Sequence, residues 1–234
     1  MATVDALKGP MLKPASGNPA KSAVVLLHGY GSNGDDLIGL TPFFARVLPD
    51  TVFYSPNAPQ PVEGGFGGGF QWFSLATYDP DLMRRDPKRM EETFRLFRLG
   101  AAANTAVVNT YLNQILAVHG IENRRLALLG FSQGTMMSLH VGPRREKQIG
   151  AILGYSGALT GADFLAAEIK SRPPIALVHG DADPVVPFGA MAEAEKVLTS
   201  VGITCETLRV PGLQHGIAEE GMQFGAAFLK KKIG

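Results

Sequence analysis

Short, uniformly apolar runs recur along this chain, separated by longer stretches with helical spacing of apolar residues. The runs at residues 23–27, 52–55, 126–130, 149–155, 175–179 and 204–210 read as strands. The first, Ala-Val-Val-Leu-Leu, is apolar at every position instead of alternating, which suits a strand covered on both faces. Helices are predicted over 35–47, 133–145, 188–201 and 219–232. A longer helix is expected to start from Asp86 as N-cap, with Pro87 at its first position, and to run to His119 and a Gly120 stop, broken near Gly100. Strands alternating with helices predict an α/β architecture, a mostly parallel central sheet with helices on both faces.

One stretch, 55–80, escapes both periodicities. It carries Gly64, Gly65, Gly67, Gly68 and Gly69 among Phe66, Phe70, Trp72 and Phe73, and Trp72 is the sole tryptophan. A loop this long inside a compact domain is usually functional. It is either a surface excursion or an active-site flap hinged on glycines, and aromatic cargo is costly for a loop that covers nothing.

The chain has 234 residues and a net charge of +1. That length fits one domain over 1–234, with 1–21 as an N-terminal extension, although dividing by about 150 would suggest two. The near-neutral balance provides no field for nucleic acid or an anionic membrane and favours a small neutral partner. The charge run 84–89 reads as a solvated helix start. Cys205 is the only cysteine, expected half-buried in a strand, and no Cys/His cluster has zinc spacing, so neither a disulfide nor a metal is expected. Residues 1–14 lack an apolar signal core and no run is long enough to span a bilayer, so a cytoplasmic location is expected. A homodimer is left open.

Chemistry enters with Gly130-Phe131-Ser132-Gln133-Gly134, set between a strand and a helix. This is the pattern of a nucleophile elbow, a strained turn that lifts a serine hydroxyl clear of the sheet. A serine needs a base, and a histidine oriented by a carboxylate is the usual one. Of the five histidines, His140, His179 and His215 follow Ser132, and only His215 lies beyond a suitable acid. His140 falls inside the helix after the elbow, and His119 suits a helix C-terminus. The acid is Asp181 or Asp183, both in the loop after strand 175–179. Two backbone N–H groups must receive the developing oxyanion: Gln133 provides one at a helix N-terminus, and the other should come from the loop near residues 27–31.

Residues 29–34 also match the dinucleotide fingerprint G-x-G-x-x-G. The acid that should end the second strand is missing, however, because Asp50 precedes that strand and Ser55-Pro56-Asn57 closes it. A nucleotide-binding Rossmann protein and a non-catalytic ligand-binding module are therefore the alternatives to a hydrolase.

Across nearly its whole length the chain resembles the phospholipase/carboxylesterase family of α/β-hydrolases. The markers are Leu27-His28-Gly29-Tyr30-Gly31, Pro56-Asn57-Ala58-Pro59, the elbow, the segment 179–187 and Gly212-Leu213-Gln214-His215. The resemblance implies Ser132, Asp183 and His215 as catalytic triad and Leu27 and Gln133 as backbone oxyanion donors. Phe70 and Trp72 of the flap, together with Tyr30 and Val186, are the expected substrate contacts. The resemblance also implies metal-free, cofactor-free hydrolysis of carboxylic esters or thioesters through an acyl-enzyme. Because no separate lid domain is visible in the sequence, short-to-medium-chain esters are the expected substrates, with lysophospholipids or acylated proteins as alternatives. Tyr30-Gly31-Ser32 stands where many relatives carry Leu-Gly-Asp, and it flanks the expected acyl site.

Overall fold

A computed structural model of the chain describes residues 3–63, 68–75, 78–79, 81 and 85–234. The central strand, β2 (Ser22–Leu27), is buried along its length. Its alternate side chains feed two cores: Ala23, Val25 and Leu27 face one, Val24 and Leu26 the other. Burial of each such valine or leucine contributes roughly 1.5–3 kcal/mol before chain entropy is counted, which is why this segment is a strand with two covered faces.

Seven strands form one sheet, completed by β1 (Met11–Leu12), β3 (Thr51–Tyr54), β6 (Leu126–Phe131), β7 (Ala151–Tyr155), β8 (Ile175–Gly180) and β9 (Cys205–Val210). The order is β1-β3-β2-β6-β7-β8-β9, parallel except for β1, which pairs antiparallel with β3 at the edge. A separate two-stranded ribbon joins β4 (Gln60–Pro61) to β5 (Phe70–Gln71). Of the helices, α1 (Gly34–Ile38), α2 (Thr41–Ala45) and α7 (Glu219–Ile233) supply the core that holds Val24 and Leu26. The opposite core is filled from α3 (Pro87–His119), α4 (Gln133–Val141), α5 (Ala162–Glu168) and α6 (Gly189–Ser200). The chain leaves β2 towards β3 on one side and β6 towards β7 on the other, and in sheets of this kind that reversal is where a crevice forms beyond the carboxyl ends of the two strands.

The six predicted strands stand within two residues of their expected ends. Three expectations about helices change. The single helix over 35–47 is two, because Pro42, without an N–H, opens a second helix instead of continuing the first. The break near Gly100 does not occur: α3 runs unbroken for 33 residues. A Cβ at Gly100 would stand 2.4 Å from the Phe73 Cβ, so glycine is there to admit a neighbouring segment. The third is the helix over 133–145, whose α-helical part ends at Val141, before the tighter turn that contains Pro143; α5, by contrast, carries no sequence signal because it buries only Leu165. Asp86 does cap α3, accepting from the N–H groups of Lys88 (3.1 Å) and Arg89 (3.4 Å), and Gly120 ends it in the left-handed region.

Candidate active site

Ser132 joins β6 to α4 with φ 54° and ψ −117°, a positive φ that a side chain adopts at a cost of about 1–3 kcal/mol. The surroundings enforce it. A Cβ on Gly134 would lie 1.7 Å from the Leu27 carbonyl oxygen, so only glycine lets α4 start this close to β2. The Ser132 N–H donates to Tyr155 O of β7 (2.9 Å), and all nine residues of α4 are buried, so the turn is clamped from both ends.

Asp183 and His215 arrive from the loops after β8 and β9, at the same rim. His215 Nδ1 lies 2.8 Å from Asp183 Oδ2, and the His215 ring packs on Phe131, beside the serine, at 4.9 Å between centroids. The two loops are joined by the Ala182 N–H donating to Leu213 O (3.1 Å). Asp183 is buried, and its Oδ1 accepts from the backbone N–H groups of Val185 (2.8 Å) and Val186 (2.9 Å). A second imidazole, His179, brings Nε2 to 3.3 Å from Oδ2. Burial alone would raise the Asp183 carboxyl, but these hydrogen bonds and the His215 charge outweigh it and hold the group well below the usual carboxylate range. Asp181 has a different role. It pairs with Arg209 (2.6 Å) and accepts from the Gly212 N–H (2.6 Å), a surface tie between the acid loop and β9.

Among the described residues, the backbone N–H groups of Tyr30 and Gln133 have no hydrogen-bond partner, while those of Gly31 and Ser32 are taken by Phe70 O (3.0 Å) and Gly29 O (3.3 Å). Gln133 is the first residue of α4, where no carbonyl of the helix can reach its N–H. Leu27 does not fit its expected part as donor: it lies fully buried inside the β2 ladder, opposite Gly130 of β6. The backbone that does approach the nucleophile is the loop beyond, where a Cβ on Gly29 would stand 3.4 Å from the Ser132 Cβ.

Two expected substrate contacts are corrected. Trp72 is 0% exposed, with its indole N–H donating to His28 O (2.9 Å) and its backbone N–H to Gln133 Oε1 (2.8 Å). Val186 is 1% exposed and uses its backbone on Asp183 and His179. Neither side chain has surface to offer a substrate. Tyr30 is exposed and Phe70 half-buried, and the two stay at the crevice rim through the Gly31 and Ser32 bonds to Phe70. The described part of the glycine-rich stretch, 68–75, is thus pinned to the elbow; residues 64–67 lie outside the described residues.

Sequence reasoning missed the props. The Gln133 amide clamps Trp72 and Phe73, donating to Phe73 O at 2.7 Å, and Asn104 of α3 donates to Trp72 O. His28 is buried, accepts at Nε2 from the Ala58 N–H (2.9 Å) and therefore carries its proton on Nδ1, toward Gly29 O (2.7 Å); burial lowers its pKa and keeps it neutral. The Tyr78 hydroxyl donates to Val185 O. A polar residue at the end of a buried strand, as at His28 and His179, was the one available signal.

The phospholipase/carboxylesterase family model matches residues 14–233. The chain belongs to that family. Acyl-protein thioesterase 1 of Saccharomyces cerevisiae is 26% identical over 229 residues, covering 92% of this chain and 94% of the relative. Esterase YpfH of Escherichia coli is 26% identical over 215 residues, covering 92% and 84%. Among solved structures, esterase PE8 superimposes with a TM-score of 0.85 at 39% identity, covering 97% of this chain and 99% of that one. Arabidopsis thaliana SOBER1, at 22% identity and a TM-score of 0.77, shares the fold. The fold of this family member is the α/β-hydrolase fold, and its activity class is esterase or thioesterase. The nucleotide-binding reading of residues 29–34 falls with that assignment; there Asn33 caps α1 by accepting from the Asp35 N–H (2.9 Å). No helix of the described residues is long and apolar enough to cross a membrane.

Proposed function

We propose that this protein is a serine carboxylesterase acting on short-to-medium-chain carboxylic esters through an acyl-enzyme. The observation that carries the reading is the 2.8 Å contact between His215 Nδ1 and Asp183 Oδ2 at the rim that bears the Ser132 elbow. In this scheme Ser132 Oγ attacks the ester carbonyl while His215 Nε2 takes its proton. Asp183 holds the Nδ1 proton and stabilises the imidazolium. Collapse of the tetrahedral intermediate expels the alcohol, protonated by His215, and a water activated by the same imidazole then releases the acid. The oxyanion is received by the N–H groups of Gln133 and Tyr30, both lacking other partners among the described residues. Each such donor is worth about 3–4 kcal/mol in the transition state.

A preference for modest acyl chains is supported by the connections from β6 to β9, which hold only α4, α5, α6 and short turns, and so build no cap on that side of the crevice. Tyr30 and Phe70 are the side chains proposed to meet the acyl group. Thioesters are the second reading, favoured by likeness to a protein named acyl-protein thioesterase. The test is Ser132→Ala against a panel of aryl esters of graded length, thioesters and lysophospholipids. Turnover should fall by several orders of magnitude, and labelling by an organophosphonate should vanish while the fold persists. Retained turnover, or fastest turnover on lysophospholipids, would reject the assignment as stated.

A further inference from the structure

His179 is the penultimate residue of β8, is 1% exposed, and meets the edge-on ring of Phe188 at 6.0 Å. Its position could be that of any buried aromatic residue, yet its polar surroundings are specific. Nε2 lies 3.0 Å from Val186 O and 3.3 Å from Asp183 Oδ2, both acceptors, so Nε2 carries a proton and points it at the acid loop. The other contacts complete a closed circuit. Asp183 Oδ1 receives the N–H groups of Val185 and Val186, and Oδ2 receives His215 at 2.8 Å. A carboxylate has about four lone-pair sites; three are met by these donors, and His179 Nε2, hydrogen-bonded to Val186 O, stands 3.3 Å from Oδ2 beside them.

We propose that His179 is a positioning residue for the acid of the triad, its Nε2–H fixing the rotation of the Asp183 carboxylate so that Oδ2 presents a lone pair to His215 Nδ1. The role rests on the triad reading above. His215, which also faces Oδ2, is the ring being oriented and cannot itself fix the carboxylate plane, whereas the N–H of His179, held at the end of β8, approaches Oδ2 independently of it. The same N–H, 3.3 Å from Oδ2, favours the ionised carboxylate despite its burial, which agrees with the direction of the Asp183 shift. The titratable groups against the carboxylate are His179 and His215; the nearby Asp181 is turned away onto Arg209 and the Gly212 N–H.

The role separates from simple packing by experiment. His179→Phe keeps an aromatic ring against Phe188 but removes the donor, and His179→Gln restores an N–H at similar reach. Rates are expressed per active site, titrated with an organophosphonate. His179→Phe should lower kcat for an aryl ester by about 10- to 100-fold, the span carried by outer hydrogen-bond partners of metal-ligating groups. KM should stay nearly unchanged and the acid limb of the kcat profile should be displaced. His179→Gln should recover a large part of kcat. The low-field proton resonance of His215 Nδ1 should move in His179→Phe and return toward its position in His179→Gln. Wild-type kcat, pH profile and resonance in His179→Phe would overturn the proposal, as would a loss confined to the fraction of titratable sites, which is what a packing role predicts. If His179→Phe does not fold, His179→Asn, whose amide stops short of Oδ2, is read against His179→Gln by the same criteria. Ser132→Ala separates the two levels: turnover persisting there defeats the triad reading itself, whereas an inactive Ser132→Ala beside unchanged His179 variants defeats only the role of His179.

Discussion

Replacing Asp183 by asparagine changes one atom, and the hydrogen bonds around it dictate how that atom must be placed. Oδ1 accepts two backbone N–H groups, from Val185 at 2.8 Å and Val186 at 2.9 Å. An amide NH2 there would set donor against two fixed donors, so the introduced side chain must put its oxygen on that side. Its NH2 then occupies the Oδ2 site, facing His215 Nδ1 at 2.8 Å and His179 Nε2 at 3.3 Å. His215 can accept that bond only with Nδ1 bare, which moves its proton to Nε2, and a protonated Nε2 cannot take the proton of Ser132. The imidazolium also loses its counter-charge. In other triads this tautomer error costs about 10⁴ in kcat, which is about 5.4 kcal/mol at 1.36 per decade.

The control is built into the same loop. Asp181→Asn loses only a solvent-screened surface pairing with Arg209, and its amide oxygen can still accept from Gly212. Steady-state hydrolysis of an aryl ester, normalised to circular dichroism and thermal unfolding for the folded fraction, should therefore give a collapse of kcat for Asp183→Asn and a change of a few-fold for Asp181→Asn. A larger loss for Asp181→Asn, or an Asp183→Asn enzyme within ten-fold of wild type, would refute the assignment of the acid and the tautomer argument together.

Two further outcomes concern the scaffold. His140 is buried beside Arg144 and its pKa is driven down to about 3, by burial first and by that positive charge second. Because the folded value lies below the unfolded value of 6.5, the protonation linkage leaves stability at its full value above that pH and removes it progressively as pH falls toward 3; the loss is about 2 kcal/mol at pH 5. Urea melts at pH 7.5 and 5 should show it, and His140→Phe should flatten the difference; an unchanged slope in that variant would assign the acid sensitivity elsewhere. Trp72→Ala should lower stability by about 3–5 kcal/mol, because it empties a fully buried site and removes the Nε1 donor to His28 O. Phe70→Ala should instead change relative rates across an ester series; a Trp72→Ala enzyme with wild-type stability would restore that residue to the substrate surface.

The contrast between Ser132 and Trp72 explains what could be read from the sequence. Ser132 needs a positive φ, a glycine two residues either side, a strand before and a helix after, and all of these lie within one short window. The strands are legible for the same reason: β2 is buried on both faces, so nearly all of its residues are apolar. Even the capping of α3 by Asp86 is local. Trp72 sits amid glycines and so reads as part of a mobile loop. Gly69 serves close approach instead, since a Cβ there would stand 2.2 Å from the Gly31 carbonyl oxygen.

What fixes Trp72 comes from His28, Asn104 and Gln133, residues from three other parts of the chain. The acid shows the same division. The loop that follows β8 offered Asp183 with Asp181 as its close rival, because both carboxylates follow the strand end. Their partners separate them: Arg209 and the Gly212 N–H take Asp181, and His215, His179 and two backbone donors take Asp183. Reactive groups that depend on an unusual backbone leave a local mark. The hydrogen bonds that orient those groups are made between distant segments, and a residue such as His179, ordinary as the end of a strand, acquires its meaning only from the loop folded over it.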